Sequence, residues 1–220
     1  HVQDLDGKQS THTIQHFVPH GHDIRINYHD LDGLPFTFTR NRTSSLHASN
    51  KFTDNFYRLR RAPYKCVNGS PKYIQPKHSR MVPYLNGLLQ FYSNELHSIE
   101  SLYFTEGEFK AFVGCMYDIP TIGSGGIHGF SKNTKDEYGR TIKNEFLPEI
   151  IEALELMVNL KRIVLIHDSD AREGSEQRHR SFLYSVRAFL YSSLDYNKQR
   201  MSLGALPLGI EYWVGSNEQQ

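Results

Sequence analysis

Apolar and polar residues alternate over residues 24 to 38. Ile24, Ile26 and Tyr28 occupy every second position, and Phe36 and Phe38 repeat the pattern beyond Asp32-Gly33. Two alternating runs about an Asp-Gly pair predict a β-hairpin. "NFYRLRRAP" and "PKYIQP" predict further short strands, each bounded by prolines that cannot donate to a ladder. The polar residues before this region, 1–20, read as a flexible lead-in. Residues 21–99 then read as a small, irregular, β-rich and basic subdomain.

From residue 100 the period changes. "SLYFT" is a short apolar run and "EFKAFVGCMY" has helical spacing. "IPTIGSGG" is a strand ending in glycines. In "FLPEIIEALELMVNL" the residues Leu147, Ile150, Ile151, Leu154 and Met157 share one helical face. "RIVLIHDSD" is a continuous apolar strand, the pattern of a sheet covered on both sides. "SEQRHRSFLYSVRAFLYSSL" is helical again, with Phe182, Val186 and Phe189 or Leu190 inward, and "IEYWV" is a last strand. Strands alternating with helices predict a parallel α/β sheet over residues 100–220. "KNTKDEYGRTIKNE" reads as a mobile loop.

Composition adds limits. With 220 residues, 38% hydrophobic and 22% charged, the chain can bury a core, and its formal net charge of +1 makes any basic surface a local one. Cys66 and Cys115 form no CxxC pair, which suits a reducing cytoplasm, the expected location. His20 and His22 lie close together without a partner cluster. No apolar run approaches a bilayer-spanning length, so no membrane partner is expected. The chain starts at His1 rather than Met, as a piece of a longer protein would.

Chemistry concentrates at two strand ends. The run 102–105 stops at Glu106-Gly107-Glu108, and the run 163–166 is followed by His167 and then Asp168 and Asp170. Parallel sheets bind ligands beyond the carboxyl ends of their strands. Crowded carboxylates repel one another unless a cation offsets them, and Mg²⁺ takes a few carboxylates plus waters and phosphates. Simpler roles stay open: the acids of 106–108 as decoration of a helix N-terminus, Asp168 as a helix cap, Asp170 as a solvated side chain. His167 should point away from Asp168 and pack, and Trp213 should pack the last strand.

"YFTEGEFKA", then "IPTIGSGG", then "RIVLIHDSDA" resembles the Toprim domain of bacterial-type primases, type IA and II topoisomerases, overcoming-lysogenization-defect nucleases and RecR-like repair proteins. The resemblance covers roughly residues 100 to 215 and is closest to the primase segments of phage, plasmid and mobile-element replication proteins. "YHDLDG", "YRLRRAP" and "SPKYIQPKHS" resemble the region preceding that unit. The resemblance implies a Toprim-like Rossmann-type sheet carrying a DNA primase-type nucleotidyltransferase, which makes primers on single-stranded DNA with Mg²⁺ or Mn²⁺. It implies Glu106 as general acid/base or metal-positioning group, Asp168 and Asp170 as the metal-binding pair, and Gly107 as the glycine of the tight turn. Lys110 stands where many of these primases carry an aspartate. Implied partners are a single-stranded template, nucleotides and a helicase in the same or a neighbouring chain. A Toprim-type nuclease and a non-catalytic nucleic-acid-binding module are the alternatives.

Between Asn55 and Asn94 there is no acidic residue, while Arg58, Arg60, Arg61, Lys65, Lys72, Lys77 and Arg80 are interleaved with tyrosines. Cations that track phosphates beside rings that stack bases suit single-stranded nucleic acid, although a solvated β face has the same composition. Strand alternation would put Arg58 and Arg60 on one face. Beside a Toprim-like site the tract reads as a template or nucleotide groove. Lys110 and the backbone at Gly125 and Gly126 complete the expected phosphate contacts.

Overall fold

The computed structural model describes residues 16–42, 50–67, 69–77, 79–126, 128–168 and 176–214. The chain divides into two units, one ending at Met81 and one beginning at Val82.

The first unit contains β1 (Phe17–His20), β2 (Asp23–Asn27), β3 (Thr37–Arg42), β4 (Asn50–Asn55), β5 (Tyr57–Arg60) and β6 (Tyr73–Ile74). β1-β2-β5-β6 is an antiparallel sheet, and β3-β4 is a separate pair. The Asp-Gly turn is present. Asp30 Oδ1 accepts from the backbone N–H groups of Asp32 (3.1 Å) and Leu34 (2.8 Å), and Gly33 sits at φ 82°. The two flanking runs then part company. After the His29–Pro35 bridge, β2 keeps β1 and β5 as neighbours while β3 pairs with β4. Pro35 has no N–H with which to extend the ladder. Ile26 and Tyr28 are fully buried, and the Tyr28 ring meets Phe56 edge-on at 4.9 Å. β1 lies inside the stretch expected to be a lead-in, of which residues 1–15 lie outside the described residues.

The second unit runs α1 (Asn86–Tyr92), β7 (Ser101–Glu106), α2 (Glu108–Met116), β8 (Thr121–Ser124), β9 (Ser131–Lys135), β10 (Thr141–Phe146), α3 (Pro148–Leu156), β11 (Arg162–His167), α4 (Glu176–Ser202) and β12 (Gly209–Val214). Its main sheet is parallel, in the order β12-β11-β7-β8, as the alternation of strands and helices predicts. From the central pair the chain winds through α2 to β8 on one side and through α4 to β12 on the other. Right-handed crossovers therefore send the two helices to opposite faces. Phe189 of α4 packs on Phe104 at 5.1 Å within a cluster that includes Phe130 and Phe146. On the other face α2 approaches β8 so closely that a Cβ on Gly123 would lie 2.9 Å from that of Ala111. Ile163, Val164 and Leu165 are almost wholly buried, which explains the unbroken apolar run of β11.

Three expectations change here. Residues 82–99, read as the end of the β-rich region, group by contact with the second unit, where α1 packs against α2. The expected mobile loop is instead the antiparallel β9–β10 hairpin. Asp136 closes its turn, accepting from the N–H groups of Tyr138 (3.0 Å) and Arg140 (2.8 Å) through one oxygen and from Arg140 Nε (2.8 Å) through the other. Its strands are mostly exposed and polar, so no apolar period marks them. Trp213 is half exposed and meets Tyr103 edge-on at 6.2 Å, so it packs the last strand only in part. Among the described residues no helix is long and apolar enough to cross a membrane.

Candidate active site

β7 ends on Glu106, Gly107 turns the chain, and α2 begins at Glu108. Gly107 has φ 99°, a region that L side chains rarely adopt, so this abrupt strand-to-helix turn requires glycine. β11 ends on His167, and Asp168 follows directly. The register pairs Ile166 with Thr105, which brings His167 level with Glu106 and Asp168 one step beyond. These two strands are the neighbours from which the winding reverses. At such a switch point, strand ends about 4.8 Å apart frame the crevice where open α/β sheets bind ligands. Glu106 and Asp168 are both half-buried there.

Lys110, in the first turn of α2, pairs its ammonium with Asp168 Oδ1. About half of each side chain is exposed (49% and 45%), so solvent screens the pair and it contributes at most about 1 kcal/mol to stability. Its consequence is electrostatic, because one of the expected metal-binding carboxylates already has a cation beside it. Asp170 lies outside the described residues. Among the described residues no three His, Cys, Asp or Glu side chains form a group that could hold a metal ion.

The glycine loop follows β8 at the same edge. Glu106 pairs with Ser124, and the Gly107 N–H donates to the Ser124 carbonyl at 2.9 Å. Ser124 Oγ (2.6 Å) and the Gly129 N–H (2.9 Å) both donate to the Gly126 carbonyl, which closes the loop. Gly126 has open space where a Cβ would stand. Gly123 does not; it serves the packing of α2 on β8.

Three neighbours refine the site. His167 is buried against Phe182, ring centres 5.1 Å apart, and so packs as expected. Burial holds its pKa down at about 4, and the charges of Asp168, His128 and Lys110 all bear on it. Sequence reasoning missed His128, whose one signal was its place just past the glycine run. Glu108 does open α2, yet it is fully buried rather than a solvated first-turn acid. Burial, and then the nearby Glu108 carboxylate, push the Tyr84 phenol far above its usual range.

The basic tract lies in the first unit and divides by environment. Arg58 is buried with its guanidinium 4.7 Å from the Tyr73 ring centre, so it is not an open phosphate contact. Arg60, which pairs with Tyr73 in the ladder and so lies on the same strand face, is half-buried. Lys65 pairs with Asp23 at 2.9 Å, and this hydrogen bond lowers the Asp23 pKa. Arg61 donates to the Pro71 carbonyl at 3.3 Å. Lys72, Lys77 and Arg80 are exposed. Lys77 lines a cavity of about 660 Å³ with Arg25, Asp54 and Tyr57. Arg25, 4.4 Å above the Tyr57 ring, lies outside the acid-free tract that drew attention in the sequence.

A family model described as a domain of unknown function (DUF3854) matches residues 92–189. That span begins at the end of α1 and contains Glu106, Lys110, Gly125, Gly126, Asp168 and Asp170, and it excludes the first unit. Neither the comparison with curated proteins nor that with solved structures gives a match.

Proposed function

We propose that the second unit carries a Toprim-like nucleotidyl-transfer site of primase type. The observation that supports it most is the meeting of Glu106 and Asp168, distant in sequence, at the switch point between β7 and β11. Two hard carboxylates on neighbouring strand ends suit Mg²⁺ or Mn²⁺, and Asp168 already attracts a cation in Lys110. Glu106, Asp168 and Asp170 would hold the ion, which when bound neutralises triphosphate charge and polarises a 3′-hydroxyl. Glu106 then accepts the hydroxyl proton as the 3′-oxygen bonds to the α-phosphorus and pyrophosphate departs. Lys110 turns from Asp168 to the phosphates, and the open backbone at Gly126 lets the triphosphate approach closely. The exposed cations of the first unit, Lys72, Lys77 and Arg80, contact the single-stranded template. A phage or mobile-element replication protein working with a helicase in the cytoplasm is the setting this chemistry fits.

The test is template-dependent ribonucleotide incorporation with Mg²⁺ or Mn²⁺ in the longest available chain. Asp168→Asn should abolish incorporation, and undiminished activity would refute the reading. Strand shortening in place of nucleotide consumption would identify a nuclease. The Lys110–Asp168 pair also favours a second reading, a non-catalytic nucleic-acid-binding module, because such a module needs its carboxylates neutralised without metal. Retained DNA binding with no measurable Mg²⁺ or Mn²⁺ binding would decide for it.

A further inference from the structure

The hairpin hidden in the sequence as a loop builds a second surface. Between β10 of that hairpin and α4 runs a groove of about 700 Å³. Its α4 side includes a row of Tyr184, Arg187, Tyr191, Asp195 and Lys198, each three or four residues from the next, and Lys143 of β10 also lines it. The inward face of α4 goes to the core through Phe182, Phe189 and Tyr196. Tyr184 and Tyr191 are 45% and 48% exposed. The Tyr184 hydroxyl accepts a hydrogen bond from Asn133 Nδ2 at 2.9 Å, and the ring meets His128 edge-on at 5.4 Å, so its orientation is fixed. The Arg187 guanidinium lies 5.3 Å from the Tyr191 ring centre. Lys143 is held by Glu145 (2.7 Å) and Asp195 (3.4 Å), so the acid of the row is already offset. Arg187 and Lys198 therefore set the sign of the groove.

We propose that this groove binds single-stranded nucleic acid, with the two tyrosines stacking bases and Arg187 and Lys198 meeting phosphates. A cationic track with ordered aromatic faces is what sequence-tolerant single-strand binding requires. The net positive lining favours a polyanion over a neutral apolar peptide. Location gives the binding a purpose. α4 runs from the carboxyl end of β11 back to the amino end of its parallel neighbour β12, so the Tyr184 end of the row lies towards the carboxylates. Lys198 is about 20 Å further along the helix. Resting on the nucleotidyl-transfer reading, the inference is that template or primer leaves the carboxylates along α4.

The experiment uses the full chain and a fluorescein-labelled oligothymidylate of about a dozen nucleotides, followed by anisotropy across a salt series. Arg187→Glu with Lys198→Glu should weaken binding at least about tenfold and flatten the salt slope by at least roughly one unit. Tyr191→Ala should cost about tenfold, and Tyr191→Phe, which keeps the ring, should bind like the parent. Melting temperatures within a few degrees of the parent confirm folding. Cross-links from a 4-thiothymidine oligonucleotide should map to α4. Parental affinity and slope in every variant, or cross-links confined to the first unit, would overturn the proposal. So would tighter binding of an acidic peptide than of the oligonucleotide at this groove. Asp168→Asn separates the two readings. If it still turns over while the α4 variants lose binding, the carboxylate reading fails and the groove stands. If it loses turnover while the α4 variants bind normally, only the groove fails.

Discussion

The carboxyl edge of the parallel sheet and the basic tract of the first unit both stand out in the sequence, yet the fold treats them differently. Glu106 and Asp168 each follow an apolar strand, and the strand dictates where they go. Once β7 and β11 are neighbours, the two acids share an edge. The tract is marked by composition alone. There Arg58 turns inward over Tyr73, Lys65 meets Asp23 and Arg61 meets a backbone carbonyl. A residue tied to a strand end inherits its position from the backbone. A residue picked for its charge can find a partner within its own subdomain as readily as in a ligand.

The sharpest way to break this comparison is Glu106→Gln. If the edge is catalytic, turnover should fall at least about a hundredfold, the usual contribution of a general base. The melting temperature should move by no more than a couple of degrees, because Glu106 is only half-buried at a strand end. Unchanged incorporation kinetics would reduce the edge to the same rank as the tract.

The same distinction explains what was legible in the sequence. β7, α2, β8, α3, β11, α4 and β12 all carried an apolar period, and each is present. The glutamate turn was legible because Gly107 and the end of an apolar run coincide. The β9–β10 hairpin was not, since its side chains are polar and exposed and its stability comes from its own ladder, the Asp136 turn and contacts with α4, including a Ser131–Ser192 hydrogen bond of 2.9 Å. The burial of Glu108 was also hidden, because a first-turn acid normally faces water, and only the packing of Tyr84 and α2 puts it inside. The parting of β2 from β3 after a correct turn had its one sign in Pro35.

The two cysteines carry the comparison into stability. Cys115, between α2 and β8, accepts the Thr121 N–H at 3.2 Å, and burial pushes its pKa up to about 12. Unfolded, the thiol would ionise near pH 9, so above that pH the folded state binds the extra proton. Stability should be intact below pH 9 and fall by a few kcal/mol as the pH rises towards 12. Urea unfolding at several alkaline pH values would show the loss, and Cys115→Ala should remove the part that sets in near pH 9, leaving the part above pH 10 to which the raised Tyr84 and Tyr92 phenols contribute. Iodoacetamide should modify half-buried Cys66 well before Cys115. Equal reactivity would mean that the second unit lacks the tight frame its edge depends on.

Gly107→Ala asks whether that frame is set by backbone or by space. Nothing lies within 4 Å of the added Cβ, so any cost comes from φ 99° alone. A penalty of about 2 kcal/mol is expected, a drop of several degrees in melting temperature, with turnover falling too as Glu106 shifts. A neutral Gly107→Ala would show that the turn relaxes freely and that the strand end does not fix the acid.

The smallest expected effect lies inside the tract, where two cations of similar sequence appeal should behave in opposite ways. Lys77 is exposed and lines the cavity it shares with Arg25 and Tyr57, so Lys77→Ala should weaken single-strand binding a few-fold and flatten the salt slope by about 0.7, one phosphate contact's share. Its stability should not change. Arg58→Ala removes a buried guanidinium from the Tyr73 ring and should cost about 1–2 kcal/mol of stability while leaving the salt slope as it was. Anisotropy titrations and thermal melts on both variants separate the cases. If Arg58→Ala changes the slope and Lys77→Ala does not, burial is the wrong criterion for choosing among the cations of the tract.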